Sequence, residues 1–288
     1  MGIASSELVL TSEGKVYHLD LAPTEISHKI ILVGDQDRVA LISKHFDTIE
    51  VRSQKREFVC HTGIYKGKRL SVISTGIGTD NIDIVLNELD ALVNIDLKNR
   101  TVKEKLTSLE FIRIGTCGVL QSEISVGSFI LTTGAIGMDN VAHFYEFQQS
   151  ENEKNYTKAL YKESNFPSTI QPYYVDASSK IVQQLDHHSN IKKGITITAT
   201  GFYGPQGRRL RIPLKQEKLN DQLAQFSFDN TQIVNLEMET SAILALSKMM
   251  GHEATSICLA LANRPTGTFL SDYSKQMDEL IHYVLEQF

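Results

Sequence analysis

Two acidic residues stand where an apolar run gives way to an amphipathic helix, in the segment IVNLEMETSAILALSKMM (233–250). Glu237 and Glu239 could serve two purposes at such a junction. Carboxylates at the start of a helix accept hydrogen bonds from its free N–H groups and interact favourably with its dipole. Alternatively, they face a cleft and hold a polar ligand. The segment alone leaves both interpretations open and favours helix capping.

Two turns that contain glycine carry arginines that could bind an anion. In VGDQDR a predicted strand ends at Gly34, which would place backbone N–H groups and Arg38 at the start of the next helix, begun by Asp37. In RIGTCG, Arg113 lies within an apolar strand, where an unpaired guanidinium would be costly, and Thr116 adds a hydroxyl. The alternatives are a surface salt bridge for Arg38 and a structural ion pair for Arg113. An anion site is favoured for Arg113, and the two interpretations of Arg38 are balanced.

A third set of polar side chains follows a predicted strand in GFYGPQGRRLR. Gln206 and Arg208 can each make two directional hydrogen bonds, and Phe202 offers a face for stacking, so together they could recognise a planar polar ring. A basic surface loop is the simpler interpretation of this segment alone. By the same local criteria Arg56, in KREF, is an ordinary exposed charge, and His18, in YHLDL, is a structural histidine without a neighbouring metal ligand.

The elements that would position these side chains alternate between buried strands and amphipathic helices. Apolar runs predict strands at 29–34, 69–78, 110–118, 128–136, 194–202 and 255–263. Helical periodicity predicts helices at 37–46, 81–93, 176–188, 239–250 and 274–288. The segment IYKGKRL predicts a hairpin, so the sheet should be mixed. We expect one three-layer α/β domain over residues 1–288, with a central mixed β-sheet flanked by helices and residues 1–17 as an N-terminal extension.

Composition excludes several other classes of protein. The chain has 288 residues, 41% of them hydrophobic, which is enough for a large core without disulfides. Its three cysteines form no C-x-x-C pair, so neither a disulfide framework nor a zinc site is indicated, and a reducing cytoplasm is expected. No signal peptide or membrane span is predicted. A net charge of −5 argues against a nucleic-acid partner. The charged stretch 95–108 should be a surface excursion, and 206–221 is too polar to be core.

Taken in order, the motifs GDQDR, REF, STGIG, RIGTCG, VGSFILTTGAI, FYGPQGR, NLEMETSAI and ANR resemble those of the nucleoside phosphorylase family with six-subunit α/β architecture. The Gln-x-Arg pair resembles the uridine phosphorylase branch of that family. The similarity runs from about His18 to the C-terminal helix. Each motif is weak by itself, whereas their order along nearly the whole chain is specific.

The resemblance implies a role for each matching residue. Phosphate would be bound by Gly34, Arg38, Arg113 and Thr116, together with Arg56 donated by a neighbouring subunit. Ribose would be held by Met238, Glu239 and His18, the last reaching across a dimer, with Glu237 beside them. Base recognition would fall to Phe202, Gln206 and Arg208. The residues implied in catalysis are Arg113, Glu239 and Arg208.

The implied reaction is the reversible phosphorolysis of uridine to uracil and ribose 1-phosphate. It uses inorganic phosphate as co-substrate and no cofactor, in a homo-oligomer that is at least a dimer and is expected to be a hexamer. The alternatives are a purine nucleoside phosphorylase or nucleosidase of the same fold, or an inactive nucleoside-binding homologue. Arg264 stands where the purine branch has an aspartate that protonates the base, which favours pyrimidines.

Two further positions bear on the match. Gln36 replaces a proline that is common in the family, which removes a preset φ but leaves the N–H donors of the turn. The residues near Glu57, Ile77 and Asn81 correspond to a monovalent cation site at the dimer interface of uridine phosphorylases. The segment TGIGTDN departs from the family pattern there, so no metal is firmly expected.

Overall fold

A large mixed β-sheet organises the chain in the computed structural model, which describes residues 2–164 and 169–288. The strands of this sheet are β1 (Lys29–Val33), β2 (Thr48–Lys55), β3 (Phe58–Tyr65), β4 (Lys68–Ser74), β7 (Glu110–Val119), β8 (Phe129–Gly137), β9 (Tyr173–Asp176), β10 (Ile191–Thr198), β11 (Ser227–Phe228), β12 (Thr231–Glu237), β13 (Glu253–Asn263) and β14 (Thr268–Phe269). A separate two-stranded sheet consists of β5 (Ile95–Asp96) and β6 (Thr101–Val102).

The main sheet runs β11-β12-β10-β8-β13-β7-β1-β4-β3-β2, with β9 on β8 and β14 on β13. Strand β1 is parallel to β4 and β7, and β7 is parallel to β13, whereas β13 and β8 are antiparallel. Strand β12 is parallel to β10 and also pairs antiparallel with the end of β7. The sheet therefore curls until β12 and β7 meet, which brings the ends of distant strands together.

Helices cover both faces of the sheet. They are α1 (Gln36–Ser43), α2 (Thr79–Asn94), α3 (Glu151–Glu163), α4 (Ser179–Leu185), α5 (Leu219–Gln225), α6 (Thr240–Met250) and α7 (Ser274–Gln287). Ile30 and Leu32 pack with α2 and α6, whereas Ile31 and Val33 pack with α1, α4 and α7. A fully buried aliphatic side chain stabilises by about 1.5–3 kcal/mol, so this alternation fixes the register of β1. The predicted α/β fold with a mixed central sheet between helical layers is confirmed.

All six strands predicted from apolar runs are present, but two of them end four residues earlier than predicted. The strand predicted at 69–78 ends at Ser74, and the one predicted at 194–202 ends at Thr198, so Phe202 lies in the loop that follows. The predicted hairpin joins β3 to β4 through Lys66 and Gly67, which both have positive φ. Such a pair matches the primed turns that suit two-residue hairpin loops.

The sequence patterns missed helices α3 and α5, strand β9 and the edge strand β2. Helix α3 is mostly polar, and the residues it buries, Glu153, Tyr156, Ala159 and Leu160, include only three apolar ones. Its start carries a capping box that could have identified it, since Ser150 Oγ accepts from Glu153 N and the Glu153 carboxylate accepts from Ser150 N. Strand β2 alternates between more and less exposed residues because it lies at the sheet edge. The predicted helix at 176–188 is shorter, covering Ser179–Leu185.

The excursion at 95–108 is largely exposed and contains the short pair β5 and β6. It also holds the N-terminal segment, because Arg100 Nη1 donates to the carbonyl of Leu8 at 2.6 Å. Val16 is fully buried in the core beneath α2. The segment 206–221 is mostly exposed, apart from the buried Gln206 and Leu219. Within the described ranges, no helix is long and apolar enough to cross a membrane.

Candidate active site

A cavity of about 890 Å³ opens at the carboxyl edge of the sheet. Its walls come from the ends of β1, β7, β12 and β13, from the turn after β4 and from the loop after β10. Open α/β sheets bind their ligands at this edge. Nine of the residues predicted for phosphate, ribose and base line this one cavity: Gly34, Arg38, Arg113, Thr116, Phe202, Gln206, Arg208, Met238 and Glu239.

The first helix begins one residue earlier than the sequence predicted. Helix α1 starts at Gln36, and the carboxylate of Asp35 caps it by accepting from Asp37 N at 3.0 Å. Asp37, predicted to begin the helix, therefore lies in its first turn. Gly34 precedes the cap and lines the cavity, and Arg38 follows in the first turn. The strand end and the helix start thus bring a glycine and an arginine to the same wall.

Two buried guanidinium groups meet at this end of the cavity. Arg38 is 7% exposed and Arg113 is 5% exposed. Arg38 Nη1 donates to the carbonyl of Ile114 at 3.3 Å, and the described residues provide Arg38 with no ion pair. Burial lowers the pKa of Arg38, and the positive charge of Arg113 lowers it further. Two like charges in a buried place favour an anion between them.

Arg113 forms the ion pair that the sequence left open. Its Nη2 donates to Glu239 Oε2, and its Nη1 lies 3.5 Å from Glu237 Oε2. Burial alone would lower the pKa of Arg113, but interactions with Glu239, Cys258 and Glu237 outweigh burial and raise it. The guanidinium therefore stays charged, and the carboxylates compensate its burial while it still lines the cavity.

The two glutamates of the NLEMET motif divide the tasks between them. Glu237 is the capping residue, because its carboxylate accepts from Glu239 N at 2.9 Å, from Thr240 N at 3.0 Å and from Thr198 Oγ1 at 2.6 Å. Glu239 occupies the N-cap position of α6, but its side chain makes no capping hydrogen bond, and its Oε1 accepts from Gly78 N at 2.8 Å. Glu237 therefore meets the capping interpretation, whereas Glu239 lines the cavity and its binding of a ligand stays a prediction.

The three residues predicted to recognise a base, Phe202, Gln206 and Arg208, contact one another in the cavity wall. Arg208 Nη1 donates to Gln206 Oε1 at 2.5 Å and to the carbonyl of Phe202 at 2.7 Å. The Arg208 guanidinium carbon lies 3.8 Å from the centroid of the Phe202 ring. Gln206 is buried, whereas half of Phe202 is exposed. A cation stacked on an aromatic ring beside an oriented amide is a rigid and directional group of donors.

Arg264, in the turn after β13, lies beside the loop that carries Gln206 and Arg208. Its Nη2 lies 3.3 Å from the carbonyl of Gly207, and its Nη1 is buried without a partner among the described residues. Burial lowers the pKa of Arg208 to about 10, with a further contribution from the charge of Arg264. Two guanidinium groups therefore lie close to each other here, and the role of Arg264 in base preference stays a prediction.

Two predicted residues lie outside the cavity lining of this chain. His18 Nδ1 hydrogen-bonds to Glu88 Oε1 at 2.6 Å. Arg56 occupies the turn between β2 and β3 with φ of 55°, and its carbonyl accepts from Gln36 Nε2 at 3.1 Å. Neither His18 nor Arg56 is among the residues that line the cavity. Both were predicted to act on the site of a neighbouring subunit, which a single chain does not contain.

The predicted cation position lies on the cavity rim. Glu57, Ile77 and Asn81 all line the cavity, and Ile77 is 69% exposed. Across residues 2–164 and 169–288, no group of three or more His, Cys, Asp or Glu side chains is arranged to hold a metal ion.

Sequence reasoning missed three contributors to the cavity. Gly78 supplies the backbone N–H that holds Glu239, while Phe269 and Tyr273 line the cavity from the C-terminal segment. The glycine-rich run STGIG contained a signal for the first. Nothing in the local sequence marks the two aromatic residues, because only the fold brings them to the site.

A model of the phosphorylase superfamily matches residues 28–285. The chain belongs to the phosphorylase superfamily. A uridine phosphorylase from Thermococcus kodakarensis is 30% identical over 92% of this chain and 83% of its own length. A DeoD-type purine nucleoside phosphorylase from Oceanobacillus iheyensis is 28% identical over 83% and 84%. A Trypanosoma brucei nucleoside phosphorylase structure, described as showing uridine phosphorylase activity, is 30% identical with a TM-score of 0.89 over 97% and 98%. The family predicted from the order of the motifs is confirmed.

Proposed function

We propose that the protein is a uridine phosphorylase, a pentosyltransferase that converts uridine and phosphate reversibly to uracil and ribose 1-phosphate. The observation that carries the proposal is the assembly, in one cavity, of an anion end with Arg38 and Arg113 and a base end with Gln206 and Arg208. Glu239 also lines this cavity. The Thermococcus and Trypanosoma relatives support the same activity through their names.

Phosphate would bind between the two buried guanidinium groups. Breaking the bond from C1′ to the base builds positive charge on the ribose, and a phosphate held against C1′ stabilises that charge and attacks the carbon. Arg38 has no carboxylate partner among the residues described, so it is available to the anion. Gly34 and Thr116 line the same wall and would add an N–H and a hydroxyl.

Glu239 would orient the ribose. Its Oε1 is held by Gly78 N and its Oε2 by Arg113, so the carboxylate has a fixed direction before any sugar enters. It can accept from the ribose hydroxyls, and Met238 offers an apolar contact beside it. Through Arg113 the same carboxylate links sugar binding to the phosphate site.

The leaving uracil would be received by Gln206 and Arg208. As the bond to C1′ breaks, negative charge develops on the uracil carbonyl oxygens, and a hydrogen bond from Arg208 strengthens in the transition state. Gln206 can match the neighbouring carbonyl and N–H of the ring, and Phe202 offers a stacking face. Arg264 adds positive charge at this end, where a purine would need an acid. We therefore propose a pyrimidine substrate.

We also propose that the active unit is at least a dimer and that its full assembly is a hexamer. His18 and Arg56 carry motif-matched roles but lie outside the cavity of their own chain. A neighbouring subunit that supplied them would complete the phosphate and ribose sets. The enzyme would need no cofactor, and a cation near Glu57, Ile77 and Asn81 would be structural. A cytoplasmic location suits three buried free cysteines.

The decisive experiment is incubation of the enzyme with uridine, with and without phosphate, followed by chromatography of the products. We expect uracil and ribose 1-phosphate only when phosphate is present. Release of free ribose without phosphate would indicate a nucleosidase, and faster cleavage of inosine than of uridine would indicate a purine phosphorylase. Tight uridine binding with no product would indicate a binding protein. Each of these three results would refute the proposal.

Light scattering combined with the same assay would test the shared site. Activity should reside in the oligomer, and mixing the inactive variants R56A and R113A should restore part of it. In mixed dimers one of the two sites then receives wild-type Arg113 together with wild-type Arg56 from the other chain. A fully active monomer would refute the assignment of Arg56 and His18 to a neighbouring site.

A further inference from the structure

The side chain of Arg113 runs over a glycine of its own strand. Arg113 and Gly115 lie two residues apart on β7 and therefore share one face of the sheet. A Cβ atom at position 115 would lie 2.7 Å from Arg113 Cζ and closer still to Nη1. Gly115 does not have a positive φ, so this position needs glycine for space and not for backbone conformation. Any side chain there would displace the guanidinium.

A buried sulfur atom limits the other side of the same space. Cys258 on β13 pairs in register with Gly115, and Arg113 Nη1 donates to Cys258 Sγ at 3.2 Å. The sulfur would lie 2.9 Å from a Cβ atom at 115. Cys258 is 1% exposed and receives a further contact from Ser256 Oγ at 3.5 Å. The thiol therefore occupies a fixed place against the guanidinium.

The Cys258 sulfur and the Glu237 carboxylate compete for the same nitrogen of Arg113. Nη1 of Arg113 has two neighbours, Cys258 Sγ at 3.2 Å and Glu237 Oε2 at 3.5 Å, while Nη2 donates to Glu239. The sulfur lies closer to Nη1 than the Glu237 oxygen does, so it takes the hydrogen bond that Glu237 would otherwise accept. Without it, Nη1 would move toward Glu237 and form a closer ion pair. That movement would take positive charge from the place where the anion binds.

We propose that Gly115 and Cys258 are positioning residues that set the direction of the Arg113 guanidinium for phosphate. The inference rests on the proposed function, and neither residue was among those assigned from sequence. Gly115 leaves room for the guanidinium, and Cys258 keeps it from closing onto Glu237. Both act through Arg113 and are not expected to contact substrate.

The test compares the variants C258A, C258S and G115A by phosphate titration in calorimetry and by steady-state kinetics. We expect C258A to weaken phosphate binding about ten-fold, the effect of one lost hydrogen bond to a charged group. C258S retains an acceptor and should restore binding to within about three-fold of wild type. G115A should weaken it about a hundred-fold, as expected for displacing a charge-assisted donor. The KM for phosphate should rise more than kcat falls.

A matched control is C60A, which removes another buried thiol, on β3 and away from the cavity. It should lower the melting temperature without changing phosphate affinity. If C258A also lowers only the melting temperature and binds phosphate as wild type does, the positioning role is refuted. If the wild-type enzyme itself fails to bind phosphate, the proposed function is refuted and the inference with it. Should G115A not fold, the comparison of C258A with C258S still decides.

Discussion

The Arg113 guanidinium should affect both the stability of the fold and the rate of phosphorolysis, and variants at this position can separate the two effects. In the variant R113A, Glu237 and Glu239 would remain 3% exposed without their cation. Breaking a buried ion pair by removing one partner costs about 3–5 kcal/mol, because the other charge is left uncompensated. For a chain of this size that corresponds to a fall in melting temperature of about 6–20 °C.

The double variant R113A/E239Q should recover much of this stability. Glutamine keeps the oxygen that accepts from Gly78 N at 2.8 Å but carries no charge. We expect the double variant to be more stable than R113A by about 1–3 kcal/mol, because one uncompensated carboxylate is gone. Activity should not recover with stability. Both variants should lose about 10²–10³ in kcat, since the donor at the reacting phosphate is missing.

The assays are urea unfolding followed by fluorescence or circular dichroism, and phosphate-dependent release of uracil. E239Q alone completes the cycle and reports the coupling between the two residues. If R113A/E239Q is no more stable than R113A, the pair is not coupled through charge. If R113A retains the wild-type KM for phosphate and its kcat, Arg113 does not serve the anion site.

Three further variants address other parts of the structure. R208A should reduce kcat/KM for uridine about 10²–10³-fold while the phosphate affinity measured by calorimetry stays unchanged, and a parallel loss of phosphate affinity would contradict the separate base end. T198V should cost about 1–3 kcal/mol in urea unfolding, because it removes a buried hydroxyl that donates to Glu237 and accepts from a backbone N–H, whereas T198S should be near wild type. Burial would raise the pKa of Glu153, but the hydrogen bond from Lys248 and two backbone N–H groups outweigh burial and lower it below its ordinary value of 4.5. The ionised Glu153 therefore contributes to the stability of the folded state above pH 4.5, and this contribution is lost as the pH falls through the lower folded pKa. The melting temperatures of E153Q and wild type should differ at pH 7 and converge in acid. An unchanged difference at pH 3 would contradict this.

Sequence patterns predicted the long helices and strands with repeated apolar residues and missed shorter or more polar elements such as β9, α5 and α3. Strand β1 and helices α2 and α6 were predicted because their apolar residues repeat with the period of the element. Helix α3 escaped because few of its residues are apolar, and its packing of Tyr156, Ala159 and Leu160 is supplemented by a capping box and by Glu153, paired with Lys248. A capping box can be recognised in a sequence, whereas the partner of Glu153 is 95 residues away. Long-range pairing of this kind has no local signal.

The same division applies to the candidate site. The arginines, the NLEMET glutamates and the Gln-x-Arg pair were found as residue types in motifs, and nine of the predicted residues line one cavity. Local sequence could not decide between a capping glutamate and a ligand glutamate. That choice depends on Thr198 and Gly78, which belong to other strands and turns. The curl of the sheet that joins β12 to β7 brings these groups together, and it follows from pairing between distant segments.

The two buried arginines of the candidate phosphate site are held by different partners. Arg113 forms an ion pair with Glu239 and a hydrogen bond with Cys258, whereas Arg38 donates to the carbonyl of Ile114 and has no ion pair within residues 2–164 and 169–288. The two arginines are therefore not equivalent. Arg113 is held in place by the protein, and Arg38 gains most from an anion because burial and a like charge both disfavour its charged form. Phosphate binding should thus stabilise the fold in proportion to the relief of that repulsion, and R38M should reduce the rise in melting temperature that phosphate produces in wild type. An equal rise in R38M and wild type would show that the anion binds elsewhere.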